Sequence, residues 1–78
     1  MDAEDLKSAG LKVTLPRLKI LEVLEKSSNH HLSAEDIYRA LMEQHEEVGV
    51  ATIYRVLTQF EESGIVNKLN FENNQAFY

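Results

Sequence analysis

In residues 50–64, VATIYRVLTQFEESG, the apolar side chains Ile53, Val56, Leu57 and Phe60 fall at i, i+3, i+4 and i+7. This spacing suits an amphipathic helix with one buried face, and Gly64 supplies the residue that ends it. At about 100° per residue, Ala51, Tyr54, Arg55 and Thr58 lie on the face pointing away from the stripe. Thr52 joins Ala51 in the first turn, where a helix N-terminus meets a phosphate. Arginine's fork of donors matches guanine in the major groove, Ala and Thr methyls or a Tyr ring meet thymine methyls, and hydroxyls reach phosphates. The plainer alternative is a surface helix with an ordinary solvated face, so the rest of the chain has to decide.

Upstream, the spacing predicts three more helices. The first, about Ala3 to Ala9, ends at Gly10 and is too short to persist without docking. Thr14 caps the second, Pro16 sits in its first turn, and Leu18, Leu21 and Leu24, with Ile20 and Val23 beside them, give it a broad apolar face up to Ser27-Ser28-Asn29. Ser33-Ala34-Glu35-Asp36 has the spacing of a capping box. It opens a third helix with Ile37, Leu41, Tyr38, Ala40 and Met42 on the inside, fading near Gln44. After Gly64 the period changes. Ile65, Val66, Leu69 and Phe71 lead to Asn73-Asn74, followed by Ala76, Phe77 and Tyr78, which reads as a β-hairpin from which Lys68 faces a phosphate. The fold expected is mainly α with a small β-hairpin, in the order of a winged helix-turn-helix.

With 78 residues the chain forms one small domain, with a folding stability of about 3–5 kcal/mol and no room for a large enclosed active site. The absence of cysteine rules out a disulfide framework and a thiolate metal site. There is no apolar run of membrane-spanning length and no signal-peptide pattern at the N-terminus, so a cytoplasmic protein that does not enter membranes is expected. The net charge of −5 speaks against nucleic acid only as a sum. From Lys7 to Lys26, five basic residues face only Glu22 and Glu25, and the acids gather at Glu35, Asp36, Glu43, Glu46, Glu47, Glu61 and Glu62. An enzyme is the poorest reading, because no nucleophile and base or paired carboxylates come with orienting partners.

Three segments carry a resemblance: Gly10-Leu11-Lys12-Val13-Thr14-Leu15-Pro16-Arg17, His30-His31-Leu32-Ser33-Ala34-Glu35-Asp36-Ile37-Tyr38 and Ala51-Thr52-Ile53-Tyr54-Arg55-Val56-Leu57. In residues, order and spacing the chain resembles, over its whole length, the N-terminal DNA-binding domain of the ferric uptake regulator family of metal-responsive bacterial repressors. The resemblance implies that Tyr54 and Arg55 read bases in the major groove, that Lys12 enters a narrow A·T-rich minor groove, and that Arg17 clamps the DNA backbone beside it. For Arg55 the residues alone also allow a surface ion pair with Glu62 or Glu47, for Tyr54 a ring that covers the hydrophobic edge while its hydroxyl stays wet, and for Lys12 and Arg17 ordinary exposed charges. By the same resemblance His31 is a ligand of the regulatory metal, in a site that is incomplete here because its partners come from beyond Tyr78; His45 reads as a solvated helix end. No cofactor is expected for the 78 residues themselves, and Fe²⁺, or Zn²⁺ or Mn²⁺, for a full-length protein. The Leu15-Pro16-Arg17-Leu18 run leans toward the iron type.

The resemblance stops at Tyr78, so the chain is expected to be an N-terminal fragment without the C-terminal dimerisation and metal-binding domain. The partner implied is double-stranded DNA with an A·T-rich palindromic operator, bound by a fragment that is monomeric in solution and by a full-length homodimer. The alternative is a winged-helix protein-interaction module without sequence-specific readout, docking through its acidic helix ends or its hairpin edge.

Overall fold

The computed structural model describes residues 3–27, 31–70 and 76–78. Helices α1 (Ala3–Ser8), α2 (Leu15–Lys26), α3 (Ala34–Glu43) and α4 (Val50–Glu62) precede two short strands, β1 (Leu69–Asn70) and β2 (Ala76–Phe77). The strands pair antiparallel with Leu69 opposite Phe77 and Asn70 opposite Ala76. This is the winged helix-turn-helix expected, with α3 and α4 as the helix pair and β1–β2 as the wing. The expected turn at Asn73-Asn74 lies outside the described residues.

Helices α2, α3 and α4 pack on one another around a single buried cluster. The stripe of α4 behaves as its spacing requires: Ile53, Leu57 and Phe60 are fully buried and Val56 nearly so. Leu6 of α1 is fully buried in the same cluster, which supplies the docking that a six-residue helix needs. In α2 the weight shifts from the expected leucines. Ile20, Leu21 and Val23 are buried, whereas Leu18 and Leu24 only flank the core. In α3, Ala34, Ile37 and Leu41 form the inner face, so Met42, one residue past it, stands 44% exposed and not inside as expected.

Both expected caps form. The Thr14 hydroxyl accepts from the Arg17 N–H at 3.4 Å, with Pro16 in the first turn of α2. The Ser33 hydroxyl accepts from the Asp36 N–H at 3.1 Å while the Ser33 N–H donates to Asp36 Oδ2 at 3.0 Å, which closes the capping box and satisfies a hydroxyl on a buried residue. The backbone bond from Ser33 is the main influence that holds the Asp36 carboxyl below its usual value, helped by the Arg39 guanidinium.

Three helices end in one hydrogen-bond motif. After α1, Leu11 donates to the Leu6 carbonyl and Gly10 to Lys7; after α4, Ile65 donates to Phe60 and Gly64 to Glu61. Gly10 and Gly64 sit at φ 80° and 84°, where only glycine is unstrained. After α3 the same pattern, Glu46 to Leu41 and His45 to Met42, places His45 at φ 61°. The motif at α4 also corrects the strand reading of Ile65 and Val66, because both of their N–H groups bond the Phe60 carbonyl and leave none for a ladder.

The wing is tied to the helices by a contact with no local signature. Tyr78 donates to the Leu32 carbonyl at 2.8 Å and accepts from the Leu32 N–H at 3.1 Å, the double bond of an antiparallel pair. Tyr78 itself belongs to the buried cluster. No described helix is long and apolar enough to cross a membrane.

Candidate nucleic-acid interface

The face of α4 opposite its buried stripe presents Ala51, Tyr54, Arg55 and Thr58 as exposed residues, with Thr52 half-buried beside them. Among the described residues Arg55 makes no hydrogen bond or ion pair, so neither Glu62 nor Glu47 engages it. Its donors are available to an external acceptor.

Tyr54 is anchored. Its hydroxyl donates to Glu35 Oε2 across 2.6 Å, from α4 to the first turn of α3. That bond, then burial and repulsion from Glu35, push the phenol above its ordinary value. The side chain therefore stays neutral, and the residue stands 43% exposed at the edge of α4.

Lys12 is exposed in the loop between α1 and α2, and its surroundings depend on Arg17. Arg17 is half-buried. One terminal nitrogen of its guanidinium donates to the Lys12 carbonyl and the other to Gln59 Oε1 on α4, both at 2.8 Å. The expected outward backbone clamp is thus, in this structure, an internal connection between a loop and a helix. No sequence signal marked Gln59; its only hint is that it lies four residues after Arg55 on the same flank of the helix.

The basic edge expected from Lys7 to Lys26 is also more compensated than a charge count implies. Lys7 pairs with Glu4, Lys19 with Glu46 at 3.3 Å and Lys26 with Glu22 at 3.1 Å. The Lys19 pair is the most sheltered of these and ties α2 to the segment after α3. Lys68 is exposed just before β1.

His31 is exposed immediately before Leu32, and its neighbour His30 lies outside the described residues. Among the described residues no three His, Cys, Asp or Glu side chains gather to hold an ion. The donors described do not by themselves fit a complete metal site. His45 sits exposed at the end of α3, as expected. Asp36 is occupied by the Ser33 cap and by Arg39.

This arrangement can present one guanidinium, one anchored phenol and two small side chains to a groove, beside a loop lysine whose carbonyl Arg17 bonds while it also bonds Gln59 of the same helix. The model of the ferric uptake regulator family matches residues 8–78. The ferric uptake regulation protein of Legionella pneumophila is 57% identical over 77 residues, which are 99% of this chain and 57% of the relative. Two solved structures superpose closely. The ferric uptake regulator of Vibrio cholerae has a TM-score of 0.92 and 53% identity, covering 96% of this chain and 57% of the other. That of Pseudomonas aeruginosa, solved with manganese, has a TM-score of 0.92 and 55% identity, covering 99% and 57%. The chain spans little more than half the length of these relatives.

Proposed function

The chain belongs to the ferric uptake regulator family, and from that premise we propose that it is the sequence-specific DNA-binding part of a metal-dependent, iron-responsive bacterial transcriptional repressor. Helix α4 enters the major groove, where Arg55 reads guanine and the edge formed by Ala51, Tyr54 and Thr58 meets neighbouring bases. Thr52 and the start of α4 approach a phosphate. Lys12 enters the adjacent A·T-rich minor groove.

The observation that carries this reading is the contrast within α4. One side is locked in the core by four buried residues, while Arg55 on the other side has no partner among the described residues. A helix held that rigidly positions base contacts without a backbone ordering cost at binding.

In a full-length cytoplasmic homodimer, a regulatory metal would supply the constraint that sets two copies of this domain at the spacing of a palindromic operator, with repression following from promoter occupancy. His31 contributes to that metal site, with the remaining ligands supplied from outside these 78 residues.

The reading is tested by fluorescence anisotropy of the chain on an A·T-rich palindromic duplex and on a scramble of the same composition, at two salt concentrations. Preference for the palindrome that persists as salt rises supports it, because the counterion term is independent of sequence. Equal binding that collapses together with salt favours the protein-docking alternative.

A further inference from the structure

Two base-contacting elements can read one site only if their separation is set. The loop bearing Lys12 has few means of setting it. It leaves α1 at Gly10, reaches α2 at Thr14, and among the described residues no backbone hydrogen bond reaches Lys12 or Val13. What holds the Lys12 peptide is the Arg17 guanidinium, which grips its carbonyl at 2.8 Å. The same guanidinium grips Gln59 Oε1 at 2.8 Å, on the flank of α4 one turn beyond Arg55.

From this we infer that Arg17 and Gln59 form a gauge that fixes the offset between Lys12 and α4, making Gln59 a positioning residue for minor-groove discrimination although it touches no base itself. The inference rests on the DNA-binding reading above and adds to it the residues that join the two contacts. A guanidinium suits the role because its planar fork bridges two acceptors at once, which an ammonium on a flexible stem does not do with the same geometry. Half-burial favours the bond, since the Gln59 amide meets less competing water there. Arg17 thereby acts on DNA through other residues rather than as the exposed phosphate contact that its motif implies.

The test separates the grooves chemically. Replacing adenine by 2,6-diaminopurine in the palindrome places an amino group in the minor groove, where A·T pairs otherwise show only acceptors, and keeps the major-groove edge of adenine. The chain is expected to bind the modified duplex about tenfold more weakly, the size of one lost base contact. Gln59→Ala keeps a good helix former in α4 and removes the acceptor. It is expected to bind modified and unmodified duplexes within about twofold of each other, while preferring palindrome over scramble as strongly as the parent chain does. Gln59→Glu restores an acceptor for Arg17 and is expected to recover the tenfold difference.

If Gln59→Ala senses diaminopurine as the parent does, the gauge is wrong. If it loses palindrome and diaminopurine discrimination in equal proportion, Gln59 is merely structural and the gauge is again overturned. Should the parent chain itself show no preference for the palindrome, the DNA-reading proposal fails first, which is a different result from either of these. Protection of the Arg17 guanidinium protons in NMR spectra of the free chain gives a readout that does not depend on DNA. Slow exchange that is lost in Gln59→Ala supports the gauge, and rapid exchange in the parent contradicts it.

Discussion

Helix α3 starts under a reciprocal pair of hydrogen bonds between Ser33 and Asp36, with Glu35 and Asp36 in its first turn. Helix α4 starts at Gly49 with no side-chain cap and no acidic residue in its first turn. Both N-termini carry unpaired N–H groups and the positive end of a helix dipole. In α3 the box answers the Ser33 and Asp36 N–H groups from within the chain, and in α4 no side chain does so. The same division holds further along. Asp36 pairs with Arg39 on α3, whereas Arg55 on α4 has no such partner among the described residues. One helix is finished as a structural element, and its neighbour keeps its N-terminus and Arg55 for something outside the molecule.

The comparison is broken most severely by removing what both helices share. Phe60 is fully buried and is among the largest side chains of the core, so Phe60→Ala is expected to cost about 3–5 kcal/mol. That equals the whole stability expected of a domain this size. Urea denaturation followed by circular dichroism should show a largely unfolded chain, and a fully cooperative native transition would mean that α4 is not held by this stripe.

Ser33→Ala acts on α3 alone. It removes the hydroxyl that caps Asp36 N–H and should lower stability by about 1 kcal/mol, without changing the affinity of the folded chain for DNA. The carboxyl of the pair adds a pH dependence. Because the folded state holds Asp36 below its ordinary value, its contribution is complete above the unfolded value, about 4, and fades as pH falls through the lower folded value. Denaturation measured across that acid range should fall more steeply for the parent than for Asp36→Asn, and parallel curves would show that the cap is not coupled to its charge.

The smallest stability effect sharpens the contrast most. Gly49 has an extended backbone, φ −66° and ψ 151°, and a Cβ built there meets nothing within 4 Å. Gly49→Asp therefore gives α4 the cap that α3 already has, and should stabilise the fold by about a few tenths of a kcal/mol. It places a carboxylate where a phosphate is proposed to sit, so DNA affinity should fall even as the melting temperature rises slightly. A variant that gained stability and kept its affinity would show that the open start of α4 does not face DNA.

Much of this was legible in the sequence because local rules write it there. The i, i+3, i+4, i+7 stripe of α4, the Ser33–Asp36 box, Thr14 before Pro16 and the glycine stops each depend on residues a few positions apart. The departures have the opposite character. The Arg17 link to Gln59, the Tyr54 bond to Glu35 and the Leu32–Tyr78 pairing join distant parts of the chain, and no spacing rule announces them. The end of α3 near Gln44 is legible, but the form of its stop is not, because histidine occupies a left-handed position usually marked by glycine. The excess of basic residues between Lys7 and Lys26 is plain in the sequence, but a count does not reveal that Lys19 is matched by Glu46 or that Arg17 turns inward.

The central claim is that the outward face of α4 reads bases, and Arg55→Ala measured by anisotropy on the palindrome and its scramble tests it most directly. The account predicts a loss of about 1–3 kcal/mol on the palindrome with little change on the scramble, so that the preference between them narrows. Equal losses on both duplexes would show that Arg55 contributes only charge, and would contradict base readout by this helix.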